Sequence, residues 1–342
     1  MTAPIVAHVV ARAVADDPHT LSVLAIAAAL GGHRSEVYAA AGSNDVDGVD
    51  AVARVDRSDA SLLIYHQRGA APALVRRLVE RDAPVVVVAA DAPPGPLALR
   101  DLRVLATAGV VGLATGDDSA SRLTDLGFAV VRRVPPVVAG ARLAAITAFA
   151  GTANHVAVAL NGPLVLTVDD VTTADNAAHV VQAYHVLRTY LARAGHLAVA
   201  VAPTSESNDE PVRTVFREVW GLRLLDAWVL RLAELGERAA LTRGAAVFVS
   251  AAPAVGDVGH ALAAMAEGVP VVAPADASAA SVLADGALLL PSDAGPALVA
   301  EAVADVLDDE SRRAGLAAAA LRTAARFAPE VVAREWQSAL AS

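Results

Sequence analysis

Residues 245–293 read AAVFVSAAPAVGDVGHALAAMAEGVPVVAPADASAASVLADGALLLPSD, and this stretch decides the fold. Its apolar runs predict three short strands: Val247 to Ser250, Val269 to Ala273 and Ala287 to Leu290. A helix of small residues is predicted between the first two strands, from His260 to Glu267. Gly268 and Pro270 should end that helix, because glycine adopts the left-handed conformation at a helix C-terminus and proline cannot continue a helix.

The rest of the chain repeats this alternation of apolar runs and helical patterns, which predicts parallel sheets with helices on both faces. In the first half the predicted strands are Ile5 to Val10, Glu36 to Ala40, Leu62 to His66, Val85 to Ala89, Val110 to Ala114 and Ala129 to Val131. A second block of strands and helices begins at Leu164. Before the opening stretch it should contain a strand near Leu222 to Leu225 and a helix near Leu230 to Thr242. Helices at Ser311 to Phe327 and Pro329 to Ala341 are predicted at the end.

Length and composition indicate a medium-sized globular protein. The 342 residues suggest two domains, and 55% hydrophobic residues are ample for buried cores. Cysteine is absent, which excludes disulfides and thiolate metal sites. The net charge of -10 argues against nucleic acid or an anionic membrane as the main partner. No apolar run approaches the roughly 18 to 20 residues that span a bilayer, and no export signal opens the chain, so a cytoplasmic location is expected.

Short motifs in both halves carry a resemblance to a known family. In the second half they are Gly256, Ala264-Met265-Ala266, Gly268, Pro270-Val271-Val272, Asp285-Gly286 and Leu289-x-Pro291-x-Asp293. In the first half they are Gly32-His33-x-Ser35-Glu36, Leu63-Ile64-Tyr65-His66, Leu126-Gly127-Phe128 and Pro135-Pro136. Taken in this order, the motifs resemble those of family 4 type glycosyltransferases.

The resemblance implies an α/β protein with the GT-B fold, in which two doubly wound, Rossmann-like domains face each other across a cleft. Residues 1–150 would form the acceptor-side domain and residues 151–327 the donor-side domain. Residues 328–342 would form a C-terminal helix that packs back on the first domain. The donor substrate of such a hexosyltransferase is a nucleotide-diphosphate sugar.

The charged residues of the family's donor site are replaced in this sequence. The two glutamates spaced eight apart fall on Val255 and Ala263, and the glutamate of the following loop falls on Ser281. The family's Arg and Lys, which stabilise the departing diphosphate, would fall at residues 170–176, and no Lys occurs anywhere in the chain. Carboxylates stand there instead, and their charge would repel a diphosphate.

Those carboxylates, Asp169, Asp170 and Asp175, have two interpretations. They could supply oxygen ligands to Mg²⁺ or Mn²⁺, which would then bridge to a phosphate. Acidic residues at the start of a helix more often interact favourably with the helix dipole and cap its N-terminus. A divalent metal is therefore an alternative, and no cofactor is assigned from the sequence.

Other candidate site residues follow from the resemblance. His66 stands at the carboxyl end of a predicted strand and would line the cleft near the transferred sugar, as a catalytic candidate. The alternative is a histidine that is hydrogen-bonded at a strand end without a ligand. Asp17 corresponds to an acceptor-side aspartate, although helix capping also explains it. On the donor side the candidates are Gly256, Asp257, His260, Ser278 and Ser281.

These observations leave three functional hypotheses open. The first is a glycosyltransferase homologue with a degenerate donor site, a pseudoenzyme that binds a protein partner or an active paralogue. The second is an active retaining transferase with a rebuilt donor site, in which a divalent metal on Asp169, Asp170 or Asp175 is one option. The third, a two-domain binding protein of the periplasmic type, is disfavoured by the missing export signal. Trp220, Trp228 and Trp336 are interpreted as packing residues.

Overall fold

The structure is a computed structural model, and the part of the chain it describes is discontinuous. It comprises residues 4–13, 18–41, 49–51, 54–55, 58–67, 70–81, 83–89, 96–137, 164–169, 174–193, 195–201, 210–224, 227–231, 242–250, 258–275 and 277–341. The chain forms two compact units. Met1–Ala139 together with Arg326–Ser342 make up the first unit, and Gly140–Ala325 make up the second.

The first unit contains one parallel sheet. Its strands are β1 Ile5–Arg12, β2 Arg34–Ala41, β3 Asp50–Ala51, β4 Leu62–Gln67, β5 Val85–Ala89, β6 Val111–Ala114 and β7 Val131–Arg133. Its helices are α1 Pro18–Ala29, α2 Pro72–Val79, α3 Pro96–Thr107, α4 Asp117–Asp125 and, from the end of the chain, α11 Pro329–Ala341. The strand order is β3-β2-β1-β4-β5-β6-β7, and the pairs are parallel. The predicted doubly wound sheet is confirmed.

The order of the strands reverses between β1 and β4. The chain runs outward from β1 to β2 and β3, and then returns to β4 on the other side of β1. In open α/β sheets the crevice beyond the carboxyl ends of the strands at such a reversal is the usual ligand site. The register there pairs Val10 with His66, so His66 lies at the point where the fold favours a ligand.

Helix α11 completes one face of this sheet. Val332 and Trp336 join the buried cluster that contains Ile26 of α1 and Ile64 of β4. The Trp336 indole donates a hydrogen bond of 3.0 Å to the carbonyl of Pro135. The last helix therefore belongs to the core of the first unit, although it is far from that unit in sequence.

The second unit also contains one parallel sheet. Its strands are β8 Leu164–Asp169, β9 His196–Val201, β10 Ala227–Arg231, β11 Ala245–Val249, β12 Val271–Ala275 and β13 Ala287–Pro291. Its helices are α5 Ala174–Thr189, α6 Glu210–Gly221, α7 Gly259–Ala266, α8 Ala277–Leu283, α9 Pro296–Asp308 and α10 Glu310–Ala325. The strand order is β10-β9-β8-β11-β12-β13. None of the helices in the described part of the chain has both the length and the apolar character needed to cross a bilayer.

The structure confirms how α7 ends. Gly268 has a φ of 73°, a conformation that glycine adopts without steric cost. The N–H of Val269 then bonds to the carbonyl of Ala264 at 3.0 Å, which is the hydrogen-bonding pattern of a left-handed helix C-terminus. Gly286 is required for a different reason, because a Cβ there would lie 2.7 Å from Oγ1 of Thr323.

One prediction in the second unit is wrong, and another begins too early. The strand expected at Leu222 to Leu225 is not formed at residues 222–224, because the chain turns directly after α6 with Arg223 at a φ of 55°. Leu225 lies outside the described residues. The strand follows as β10, which pairs in parallel register with β9. The helix predicted near Leu230 to Thr242 does not begin at Leu230, because Leu230 and Arg231 belong to β10. Residues 232–241 lie outside the described part of the chain and Thr242 is helical, so the rest of that helix stays a prediction.

Helix α9 was not predicted at all. It begins at Pro296, where a proline is well tolerated in the first turn. Its inner face is built of Val299, Val303, Val306 and neighbouring alanines, all buried. These alanines do carry the helical periodicity, but alanine is so abundant in this sequence that the pattern gives little contrast.

Candidate functional site

A buried histidine pair lies on one face of the seven-stranded sheet, with His66 near the carboxyl end of β4 and His8 in the middle of β1. His66 of β4 is only 3% exposed, and His8 of β1 is fully buried. Nδ1 of His8 lies 3.0 Å from Nε2 of His66, which is hydrogen-bonding distance. The two rings are nearly parallel, with centroids 5.3 Å apart. Both strands place these residues on the same sheet face, because side chains alternate along a strand.

Trp336 brings the C-terminal helix to this pair. Its indole stacks near the His66 ring, with centroids 6.0 Å apart and 21° between the planes. Trp336 is 2% exposed, which confirms its interpretation as a packing residue. Trp220, in contrast, is 78% exposed, so the same interpretation is wrong there. The side chain of Trp228 lies outside the described part of the structure.

Burial controls the charge of this cluster. It lowers the pKa of the His8 imidazole from 6.5 to about 3, because the charged form would lose its hydration. His8 is therefore neutral at physiological pH. On the opposite face of the sheet, burial and to a smaller extent the carboxylate of Asp101 raise the pKa of the Tyr65 hydroxyl. Asp101 itself accepts a 2.6 Å hydrogen bond from the N–H of Ala71 at the start of α2.

Other polar groups surround the carboxyl ends of β4 to β7. Gln67 is buried beside His66 in the chain. Asp117, in the first turn of α4, forms an ion pair with Arg133 at the end of β7. Asp17 lies outside the described residues, so its acceptor-side role stays a prediction.

The carboxyl edge of the six-stranded sheet was expected to bind the donor. His260 is buried in the first turn of α7, and Ser281 is on α8 with an exposed side chain. Ser278 also belongs to α8, but its side chain is not described. Gly256 and Asp257 lie outside the described residues. The donor-side assignments therefore stay predictions.

The proposed metal ligands are only partly described. Asp169 is the last residue of β8 and Asp175 lies in the first turn of α5, while Asp170 falls outside the described residues. The side chains of the first two are not described either. Within the described residues, no group of three or more His, Cys, Asp or Glu residues could hold a metal ion. The metal site is neither supported nor contradicted by this finding.

The sequence analysis missed the partners of His66. His8 and Trp336 contact it only because β1 and β4 are neighbours in a particular register and because α11 packs on that face. One sequence signal was present, since His8 is a lone polar residue inside the apolar run of the first strand. A polar residue in a buried strand needs a partner, and His66 in the next buried strand is a candidate.

Comparison with known proteins supports the fold through structure alone. No protein-family model matches the sequence, and no curated protein matches it. Anabaena HepE in complex with UDP-glucose superposes with a TM-score of 0.75 and 14% identity, covering 98% of this chain and 99% of that chain. An α,α-trehalose-phosphate synthase (UDP-forming) from Burkholderia vietnamiensis gives a TM-score of 0.71 and 15% identity, with 99% of each chain covered. The chain has the GT-B fold.

A third solved structure agrees with this assignment. A glycosyltransferase from Rickettsia africae superposes with a TM-score of 0.71 and 12% identity, covering 98% of this chain and 97% of that chain. The match extends through both units in each case. At this level of identity it establishes the GT-B architecture, whereas function depends on the residues that the architecture carries.

Proposed function

We propose that this GT-B protein is a non-catalytic homologue of nucleotide-sugar glycosyltransferases, which supports an active paralogue or another protein partner. One observation carries the proposal. The positions where the family 4 resemblance expects donor-binding glutamates hold Ala263 on α7 and Ser281 on α8, while the surrounding backbone elements are all formed. Alanine offers no acceptor for a ribose hydroxyl, and serine carries no charge.

The loss of positive charge points the same way. A departing nucleoside diphosphate develops negative charge that must be stabilised. The chain contains no lysine, and carboxylates stand at the positions of the expected Arg and Lys. Like charges in a partly desolvated site weaken binding instead of promoting it.

An active retaining transferase with a rebuilt donor site is the second candidate. Asp169 ends β8 and Asp175 lies in the next helix, so the sequence places two carboxylates around the loop that follows a strand of the parallel sheet. With Asp170 they could hold a divalent cation that attracts the diphosphate. The observation that favours this candidate is the full-length match to HepE, which was crystallised with UDP-glucose.

A thermal-shift screen separates the two candidates. The purified chain is heated with UDP-, ADP- and GDP-sugars and with the free nucleotides, each with and without Mn²⁺. A ligand at a hundred times its Kd stabilises a protein by about 2.7 kcal/mol, which corresponds to about 5–10 °C for a unit of this size. We expect no shift. A shift that requires Mn²⁺ would instead support the metal-assisted enzyme, and a shift without metal would support a donor site rebuilt from other residues.

A further inference from the structure

The buried pair of His8 and His66 in the first sheet can exist in two arrangements. The 3.0 Å bond joins Nδ1 of His8 to Nε2 of His66, and one of these nitrogens must donate while the other accepts. Either His8 carries the shared proton on Nδ1, or His66 carries it on Nε2. Each neutral imidazole has one N–H. This choice therefore also determines whether the second nitrogen of each ring carries a proton.

The second nitrogen of His8 decides between them. Nε2 of His8 is buried and has no hydrogen-bond partner among the described residues. If His8 accepted the shared proton, its own proton would stand on Nε2 as a buried donor without an acceptor. Orphaned buried N–H groups are rare because the desolvated donor is costly, whereas an unpaired acceptor is tolerated more often. The structure therefore favours a bare Nε2 and a protonated Nδ1 on His8.

We propose that His8 is a positioning residue that donates its Nδ1–H to Nε2 of His66 and so holds His66 in the Nδ1-protonated tautomer. The basic nitrogen of His66 is then occupied by His8. The second nitrogen of His66, Nδ1, then carries a proton. In this tautomer His66 can only donate a hydrogen bond at Nδ1 and does not act as a general base.

The packing around the pair holds this arrangement in place. Trp336 stacks near the His66 ring and is itself fixed by its bond to the carbonyl of Pro135. This stacking restricts the plane of the His66 ring. Orientation of one histidine by a hydrogen bond to its second nitrogen is a recurrent way in which proteins select a tautomer.

The tautomers do not depend on any activity of the protein. Their meaning for ligand binding rests on the expectation, from the family 4 resemblance, that His66 lines the cleft near the transferred sugar. A failed search for nucleotide-sugar ligands would leave the ring protons where they are. Conversely, a wrong tautomer assignment would leave the donor-site proposal intact. The two proposals can therefore fail separately.

Nitrogen NMR of the full chain, with ¹⁵N-labelled histidine rings, tests the proposal at pH 7.5. Ring signals are assigned through bonds from the backbone, so the decisive spectrum needs no variant. We expect a protonated Nδ1 and a bare Nε2 on both His8 and His66. A protonated Nε2 on His66, or a positively charged ring on either residue, would overturn the proposal.

Two variants test whether His8 is the cause. In His8→Leu the His66 Nε2 signal should move, because its hydrogen-bond donor is gone, while Trp336→Phe keeps an aromatic ring beside His66 and should leave the tautomer unchanged. An unchanged His66 signal in folded His8→Leu would contradict a positioning role. If His8→Leu does not fold, the wild-type spectrum alone decides the tautomer.

Discussion

The carboxyl edges of the two sheets differ in what their residues do. In the seven-stranded sheet, polar residues at the reversal between β1 and β4 are buried and hydrogen-bonded to each other, as His8 and His66 show. In the six-stranded sheet, the glycines and prolines that begin and end the helices are present. Alanine and serine, however, stand at two positions where the resemblance expects glutamate. Under the proposed function, the comparison teaches that a fold can persist on scaffold residues after the chemical residues have changed.

The largest effect on stability is expected from removing the indole ring of Trp336, which stacks near His66 in the seven-stranded sheet. Trp336→Ala deletes a fully buried side chain and its hydrogen bond to Pro135. We expect a loss of about 3–5 kcal/mol in the free energy of unfolding, measured by urea denaturation. The matched control is Trp220→Ala, which removes a side chain that is 78% exposed and should change stability by only about 0.5 kcal/mol. Equal losses from both variants would contradict the role of Trp336 in the core.

The buried His8 should also make the free energy of unfolding depend on pH. His8 keeps its neutral form when folded, with a pKa of about 3, whereas an unfolded chain has the ordinary value of 6.5. Below pH 6.5 the unfolded chain therefore binds a proton that the folded chain does not. The contribution of the neutral His8 to the free energy of unfolding is fully present above pH 6.5. It falls by about 1.4 kcal/mol per pH unit as the pH decreases towards 3.

Urea denaturation between pH 7.5 and 4.5 measures this dependence. His8→Leu should reduce the slope in that range. His33→Gln is the control. It replaces an exposed histidine and should leave the slope of stability against pH unchanged. A slope that is the same in the wild type and in His8→Leu would show that His8 is not held neutral by burial.

The second unit can be probed through its close packing. Gly286→Ala would place a Cβ against Thr323, and we expect a loss of about 1–3 kcal/mol in the free energy of unfolding. Gly315→Ala is the control, because nothing lies near the added methyl on helix α10 and alanine favours a helix by up to about 1 kcal/mol. Equal stability of Gly286→Ala and Gly315→Ala would contradict the close packing of Gly286 against Thr323.

Most of the architecture could be predicted from local features of the sequence. Apolar runs indicate the strands, and glycine and proline residues indicate where helices end. The strand at Val85–Ala89 was predicted with its observed bounds, and Gly268 ends α7 as expected. β10 was misplaced because the turn at Arg223 depends on a left-handed residue that is not glycine. Helix α9 was missed because its periodic residues include alanines in an alanine-rich chain.

The candidate site was less predictable than the fold. His66 could be selected from its position at the end of an apolar run. Its contacts with His8 and Trp336 could not, because they depend on strand register and on a helix at the far end of the chain. The donor-side residues Gly256 and Asp257 stay predictions, since they lie outside the described part of the structure.

Titration calorimetry with UDP-glucose tests the central claim most directly. The full chain is titrated with and without Mn²⁺, and Anabaena HepE, which was crystallised with UDP-glucose, serves as the positive control. A degenerate donor site predicts no saturable heat for this chain under conditions where HepE binds. Saturable binding of about one UDP-glucose per chain would contradict that claim.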